Sequence, residues 1–398
     1  MTSLVRTQLS VMMLLEYFIW GAWYVTMGTY MSVYLNASGT QIGAAYSALA
    51  IATIISPFFI GMVADRFFAA QKIMAVLHIV GGALLYLATQ VADNTAFYWI
   101  ILVYSLLYMP TIALSNSIAF AQMNDPGKQF PWIRVFGTLG WILAGLMIGY
   151  LAIEKSPATF QMAAAASVAL GVLSFLLPNT PPKGKTEGAA SKALGTEAFV
   201  MFKDRPYLIF FIAAILVCIP LSFYYGFANV FLNELGVESA ASKMILGQVS
   251  EAVFILAIPF LFNNIGVKNM LILGMLAWIL RYVCFAFGNI DANMWMLYAG
   301  IVLHGICYDF FFVTGYMYTE KKAGEKIKNA AQGLFTFATY GVGMVIGTRF
   351  SGWTTDYYTA DGVHQWNSIW FVPAYIAVAV LVYFLLFFKE KKEIAAAS

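Results

Sequence analysis

Charge is what this chain has least of. Only 10% of its 398 residues are Asp, Glu, Lys or Arg, against about 25% in soluble domains. Hydrophobic residues make up 61% and mean hydropathy is +0.77, more apolar surface than a soluble core could hide. Cysteine is also scarce: Cys218, Cys284 and Cys307 all lie in apolar runs without metal-ligand spacing, so they read as packing residues. There is no H-E-x-x-H, no phosphate loop and no nucleophile motif. His304 and Asp309 make no triad without a nucleophile, and a membrane enzyme is the poorer reading. No dense basic run supplements the net charge of +3, so nucleic acid is not an expected partner. The first apolar run is long enough to span and has no small-residue cleavage site, so no removable signal is expected.

What remains is a polytopic membrane protein, its all-α fold dictated by the bilayer. Phe, Tyr and Trp reach 17%, as aromatic belts at the two interfaces require. Runs of about 20 apolar residues fall at 7–34, 39–64, 72–91, 96–121, 131–153 and 159–177, then at 206–234, 241–263, 268–287, 294–319, 328–354 and 367–388. That predicts twelve transmembrane helices in two six-helix bundles, 1–178 and 205–398. They are joined by a Pro-, Gly- and Lys-rich cytoplasmic linker over 179–204. Placing the termini and even-numbered loops on one side collects 17 of the 22 lysines and arginines. The positive-inside rule then puts both termini in the cytoplasm. Thr138, Gly145 and Gly149 match Thr336, Gly343 and Gly347 at an offset of 198. Such a repeat fits two related bundles around a midplane site.

The informative residues are the polar ones inside spans. Gln248 and Glu251 are three apart on a helix otherwise suited to lipid, so they share one face. A carboxylate in hydrocarbon must find a partner, a proton or a wet cavity. Asp309, in Leu303-His-Gly-Ile-Cys-Tyr-Asp309, is a proton-relay candidate for the same reason, the alternative being an acid locked to a neighbouring helix. Arg134, Thr138 and Trp141 share a face at i, i+4 and i+7. Arg134 reads either as a snorkelling arginine or as a charge partner of Glu251. Glu16 reads either as a cavity-facing acid or as one that reaches the interface. Asn116 and Gln122 are expected to bond neighbouring helices, and Arg281 to be structural and near an interface. After Pro220, a break in the helix would free carbonyls toward a cavity and set Ser222 and Tyr225 there. Gln332, Thr336, Thr339 and Tyr340 give the eleventh span a weaker polar face.

Several blocks resemble the nucleoside:proton symporter family of the major facilitator superfamily. They include Ile19-Trp-Gly-Ala-Trp23, Gly61-Met-Val-Ala-Asp-Arg66, Ile133-Arg-Val-Phe-Gly-Thr-Leu-Gly140, Gln248-Val-Ser-Glu251, Trp278-Ile-Leu-Arg281 and Tyr308-Asp-Phe-Phe311. The resemblance implies proton-coupled uptake of nucleosides by alternating access across a bacterial inner membrane, with the proton as coupling ion, no cofactor and a monomeric carrier. It also implies a substrate site of Arg134, Thr138, Gln248, Glu251 and Asp309, with Trp141 and Tyr308 at aromatic positions and Glu251 and Asp309 as the proton-linked acids. Ser222 and Tyr225 stand where the family has amides, and His304 where it has a tyrosine. Those departures keep a second substrate class open, a sugar-like polyhydroxylated solute. A receptor that binds without translocating is the reading from another class.

Overall fold

In hydrocarbon a backbone has no water to bond, so a long apolar run must satisfy itself as a helix. A computed structural model, which describes residues 1–59, 68–182 and 196–389, follows that rule. The first group of helices is α1 (Ser3–Trp23), α2 (Met27–Tyr34), α3 (Gly39–Phe59), α4 (Ala70–Ala88), α5 (Asn94–Ala121), α6 (Pro126–Leu151) and α7 (Ala158–Ser174). The second is α8 (Arg205–Glu234), α9 (Ala240–Phe287), α10 (Met294–Val302), α11 (His304–Tyr308), α12 (Thr314–Thr336), α13 (Met344–Tyr357) and α14 (Trp366–Phe387). Two π-helical segments, Asp309–Val313 and Phe337–Gly343, interrupt the second group. A two-residue hairpin pairs Thr359–Ala360 with Val363–His364. The protein is thus an all-α membrane protein. The Gly61–Arg66 block, linker residues 183–195 and the basic C-terminal residues from 390 on lie outside the described residues.

Ten helical stretches among the described residues are long and apolar enough to cross a bilayer, one of them running from Met294 to Tyr357. Their limits follow the sequence reading closely. Gly266 (φ 76°) breaks α9 between two apolar stretches, and Gly324 (φ 67°) breaks α12, both in a region that favours glycine. The break expected at Pro220 is absent. Helix α8 continues through it, and the carbonyl of Pro220 itself accepts a hydrogen bond from the Tyr282 hydroxyl rather than facing a cavity.

Helix α1 packs on α6 and α7, and α4 on α5 and α7; α8 packs on α13 and α14, and α9 on α11 and α14. The two groups meet where α3 crosses α13 and α6 crosses α9. Glycines make the first crossing possible. A Cβ on Gly43 would lie 3.0 Å from the Gly352 backbone, so neither position has room for a side chain. The repeat glycines act against different partners: Gly145 and Gly149 lie against Ile245 and Ser242 of α9, while Gly343 and Gly347 lie against α8.

Carboxylates seal the same end. Asp356, at the end of α13, accepts the Gly39 and Thr40 amides at the start of α3, the latter at 2.8 Å. Glu154, in the α6–α7 connection, accepts the Ala241 amide at the start of α9 at 2.6 Å and the Asn233 side chain at 2.9 Å. Each acid in one helix group caps a helix N-terminus in the other, where unpaired amides and the helix dipole favour negative charge. Thr29 adds a hydrogen bond to Asn229 at 2.6 Å. These contacts lie at the ends joined by the odd-numbered connections, so that end is shut.

Candidate functional site

Helix α9 shows how the sequence divides its faces. Leu246, Val249, Val253, Leu256 and Phe260 are all exposed and repeat at alternating three- and four-residue steps, which forms a lipid-facing stripe. Gly247 and Ser250 turn toward α10 and α11. A Cβ on Gly247 would meet the His304 side chain at 3.1 Å, and Ser250 donates to the Val302 carbonyl at 2.6 Å. Gln248 and Glu251 are left for the third face. They line a cavity of about 700 Å³ between the two helix groups.

Of the ten site residues expected from sequence, the cavity gathers Arg134, Thr138, Trp141, Tyr225, Gln248, Glu251 and Tyr308. The Arg134 guanidinium lies 4.0 Å from the Tyr17 ring centroid and is close enough to Glu251 to attract its carboxylate. The wall continues through Asn116 and Ser56 near the ends of α5 and α3, so the chamber reaches toward the side opposite the seal.

Ser222, His304 and Asp309 are not on this wall; each is fully buried. With α8 unbroken, the Ser222 hydroxyl turns back to the Cys218 carbonyl at 2.8 Å. His304 points into the second helix group, where its Nδ1 meets Nη1 of Arg281 at 3.0 Å. Asp309 opens a π-helical segment, and neither of its carboxylate oxygens has a hydrogen-bond partner. It nevertheless lies within electrostatic reach of Glu251. Arg281 is fully buried. Glu16 takes neither of its expected places: inside the first helix group it meets His78 at 2.9 Å and the Thr111 hydroxyl at 2.6 Å.

Sequence reasoning missed much of the aromatic wall. Tyr17 and Trp20 of α1, Tyr24 just after it, Tyr46 and Tyr316 also line the chamber, as do Thr336 and Tyr340 of the polar face expected on the eleventh span. The Tyr340 and Tyr308 hydroxyls bond each other, and Trp20 packs edge-on against Trp141 at 5.6 Å between centroids. The signal was present: Tyr17, Trp20 and Tyr24 fall at i, i+3 and i+7, one face of a helix. Asn116, expected to bond a neighbouring helix, lies on the wall as well. Flat faces with polar tips suit a ligand that joins a ring to hydroxyls. No group of His, Cys, Asp and Glu among the described residues is arranged to hold a metal.

A polar, aromatic chamber between two helix groups, shut at one end and lined by Glu251 and Arg134, defines a secondary transporter of the major facilitator fold. The comparisons with known proteins narrow it. A family model described as Nucleoside H+ symporter matches residues 3–393, and the chain belongs to that family. YegT of Escherichia coli is 41% identical over 96% of this chain and 93% of its own length. The xanthosine permease of the same organism is 36% identical over 97% and 96%. The crystal structure of the nucleoside transporter NupG superposes with a TM-score of 0.90 at 33% identity, covering 97% of this chain and all of that one. The protein is a transporter, not an enzyme.

Proposed function

We propose that this protein carries nucleosides into the cell together with protons, through alternating access of two six-helix bundles, 1–178 and 205–398, across the inner membrane. The observation that carries this reading is the meeting of Gln248, Glu251 and Arg134 with a wall of aromatic rings in one chamber. The rings supply stacking surface for a base, worth about 1–3 kcal/mol each where stacking to an aromatic has been removed. Gln248 and Thr138 offer hydrogen bonds to ribose or base edges. Glu251 and Asp309 exchange the coupling proton. Asp309, buried without a partner, holds its proton in this state, because an isolated buried carboxylate is strongly disfavoured.

The stretch Met294–Tyr357 is 64 residues long, about 96 Å as a helix against a hydrocarbon core of about 30 Å. With the break at Gly324 it makes two crossings. Ala158–Ser174 makes another, which brings the count to twelve. Both termini and the linker lie in the cytoplasm, so the sealed end faces outward and the chamber faces the cell interior. The carrier works as a monomer with no cofactor.

Uptake of labelled uridine and adenosine into proteoliposomes, in competition with a panel of nucleosides and sugars, tests the assignment. Nucleosides compete and sugars do not. Competition by sugars alone would transfer the site to another solute.

A further inference from the structure

Arg281 is a buried cation that the transport cycle described above leaves unused. It is fully buried, its Nε and Nη2 have no partner, and no carboxylate among the described residues is within ion-pairing distance. Its guanidinium lies 3.4 Å from the Tyr224 ring centroid, and Nη1 reaches Nδ1 of His304 at 3.0 Å. A guanidinium can only donate, so Nδ1 accepts. The imidazole is therefore neutral and carries its proton on Nε2. That atom has no partner of its own, and the nearest acid is Glu251, whose Oε2 is 3.8 Å away. The approach is built into the helices. Gly247 lets α9 close on His304, and Gly305 lets α11 close on the backbone of Ser250 and Glu251.

We propose that Arg281 is a positioning residue for Glu251, acting through His304, whose Nε2–H it fixes and aims at the carboxylate. The inference rests on the reading that Glu251 exchanges a proton. At 3.8 Å the bond is not made; a shift of less than 1 Å closes it. The closed bond favours the ionised carboxylate, because a hydrogen bond to the charged form stabilises it and sets the Arg281 charge behind it. The other charged or titratable groups around Glu251 are Arg134 of α6, Tyr224 and Tyr225 of α8, Tyr308 of α11 and the adjoining Asp309. Arg134 faces it from the chamber, His304 from the protein interior. His304 thus acts on the acid from behind instead of touching substrate.

The test is the pH profile of labelled uridine uptake by the full-length protein in proteoliposomes. His304→Phe keeps a ring and removes both nitrogens; Arg281→Met keeps most of the stem and removes the charge. Each moves the midpoint to higher pH by about one unit, tenfold in proton concentration. His304→Gln accepts from Arg281 through its carbonyl and presents an N–H to Glu251, so it keeps the wild-type midpoint. In a Glu251→Gln background, His304→Phe produces no further shift. An unmoved midpoint in His304→Phe, or in Arg281→Met should the first fail to assemble, overturns the inference, provided Glu251→Gln flattens the profile. If Glu251→Gln leaves the profile unchanged, the underlying reading of Glu251 is the one that fails.

Discussion

Glu251 and Asp309 are both acids within helices, yet one faces the chamber and the other is sealed behind it. Glu251→Gln and Asp309→Asn are each expected to abolish uphill accumulation while leaving exchange of labelled for unlabelled nucleoside intact. A proton crossing 100 mV supplies about 2.3 kcal/mol, so the lost accumulation is about 50-fold for one proton. Counterflow measured beside gradient-driven uptake checks this; normal accumulation in both variants would remove the acids from coupling. Trp141→Ala is expected to raise KM for a nucleoside by about 5- to 150-fold, from about 1–3 kcal/mol of lost stacking, with Trp141→Phe keeping most of the affinity. An unchanged KM would mean that Trp141 only packs against Trp20. At this scale the sequence made Gln248 and Glu251 legible, because two polar residues on one face of a lipid-facing helix have few tenable places. It did not reveal the surroundings of His304, Ser222 or Glu16. Those of His304 and Glu16 depend on partners distant in sequence, Arg281 and His78, which no local spacing encodes, and those of Ser222 on α8 running unbroken so that its hydroxyl turns back to Cys218.

At the scale of helices, the seal rests on two related contacts, Asp356 on the start of α3 and Glu154 on the start of α9. Charge at a helix N-terminus contributes about 0.3–1 kcal/mol, and up to about 2 when partly buried. Asp356→Asn with Glu154→Gln therefore shifts the balance by about tenfold toward a state open on that side. Spin labels on cysteines placed at Lys155 and Glu238, both exposed, report it as a longer distance; Cys218, Cys284 and Cys307 are buried. An unchanged distance distribution would make the two acids structural caps only. Span limits were legible here because length and hydropathy bound a membrane helix. Pro220 misled because a proline removes only one donor, a loss that α8 absorbs without breaking, and Tyr282 from a neighbouring helix bonds the Pro220 carbonyl. The π-helical turn at Asp309 has no sequence signature of its own.

On the proposed function the whole molecule joins these parts: a chamber to hold a ring and hydroxyls, acids to take up and release protons, and a seal that must yield at one end as another forms. The expected bundle boundaries came from the spacing of the apolar runs and the hydrophilic linker, and the expected sidedness from the distribution of Lys and Arg, properties of the entire chain that single positions do not carry. The most direct test of the account is the accumulation of labelled uridine or adenosine in proteoliposomes under an imposed pH gradient, acid outside. The account predicts that internal nucleoside rises above the external concentration and falls back to it when a protonophore dissipates the gradient. Binding without accumulation, or uptake that stops at equilibration whatever the gradient, would contradict it.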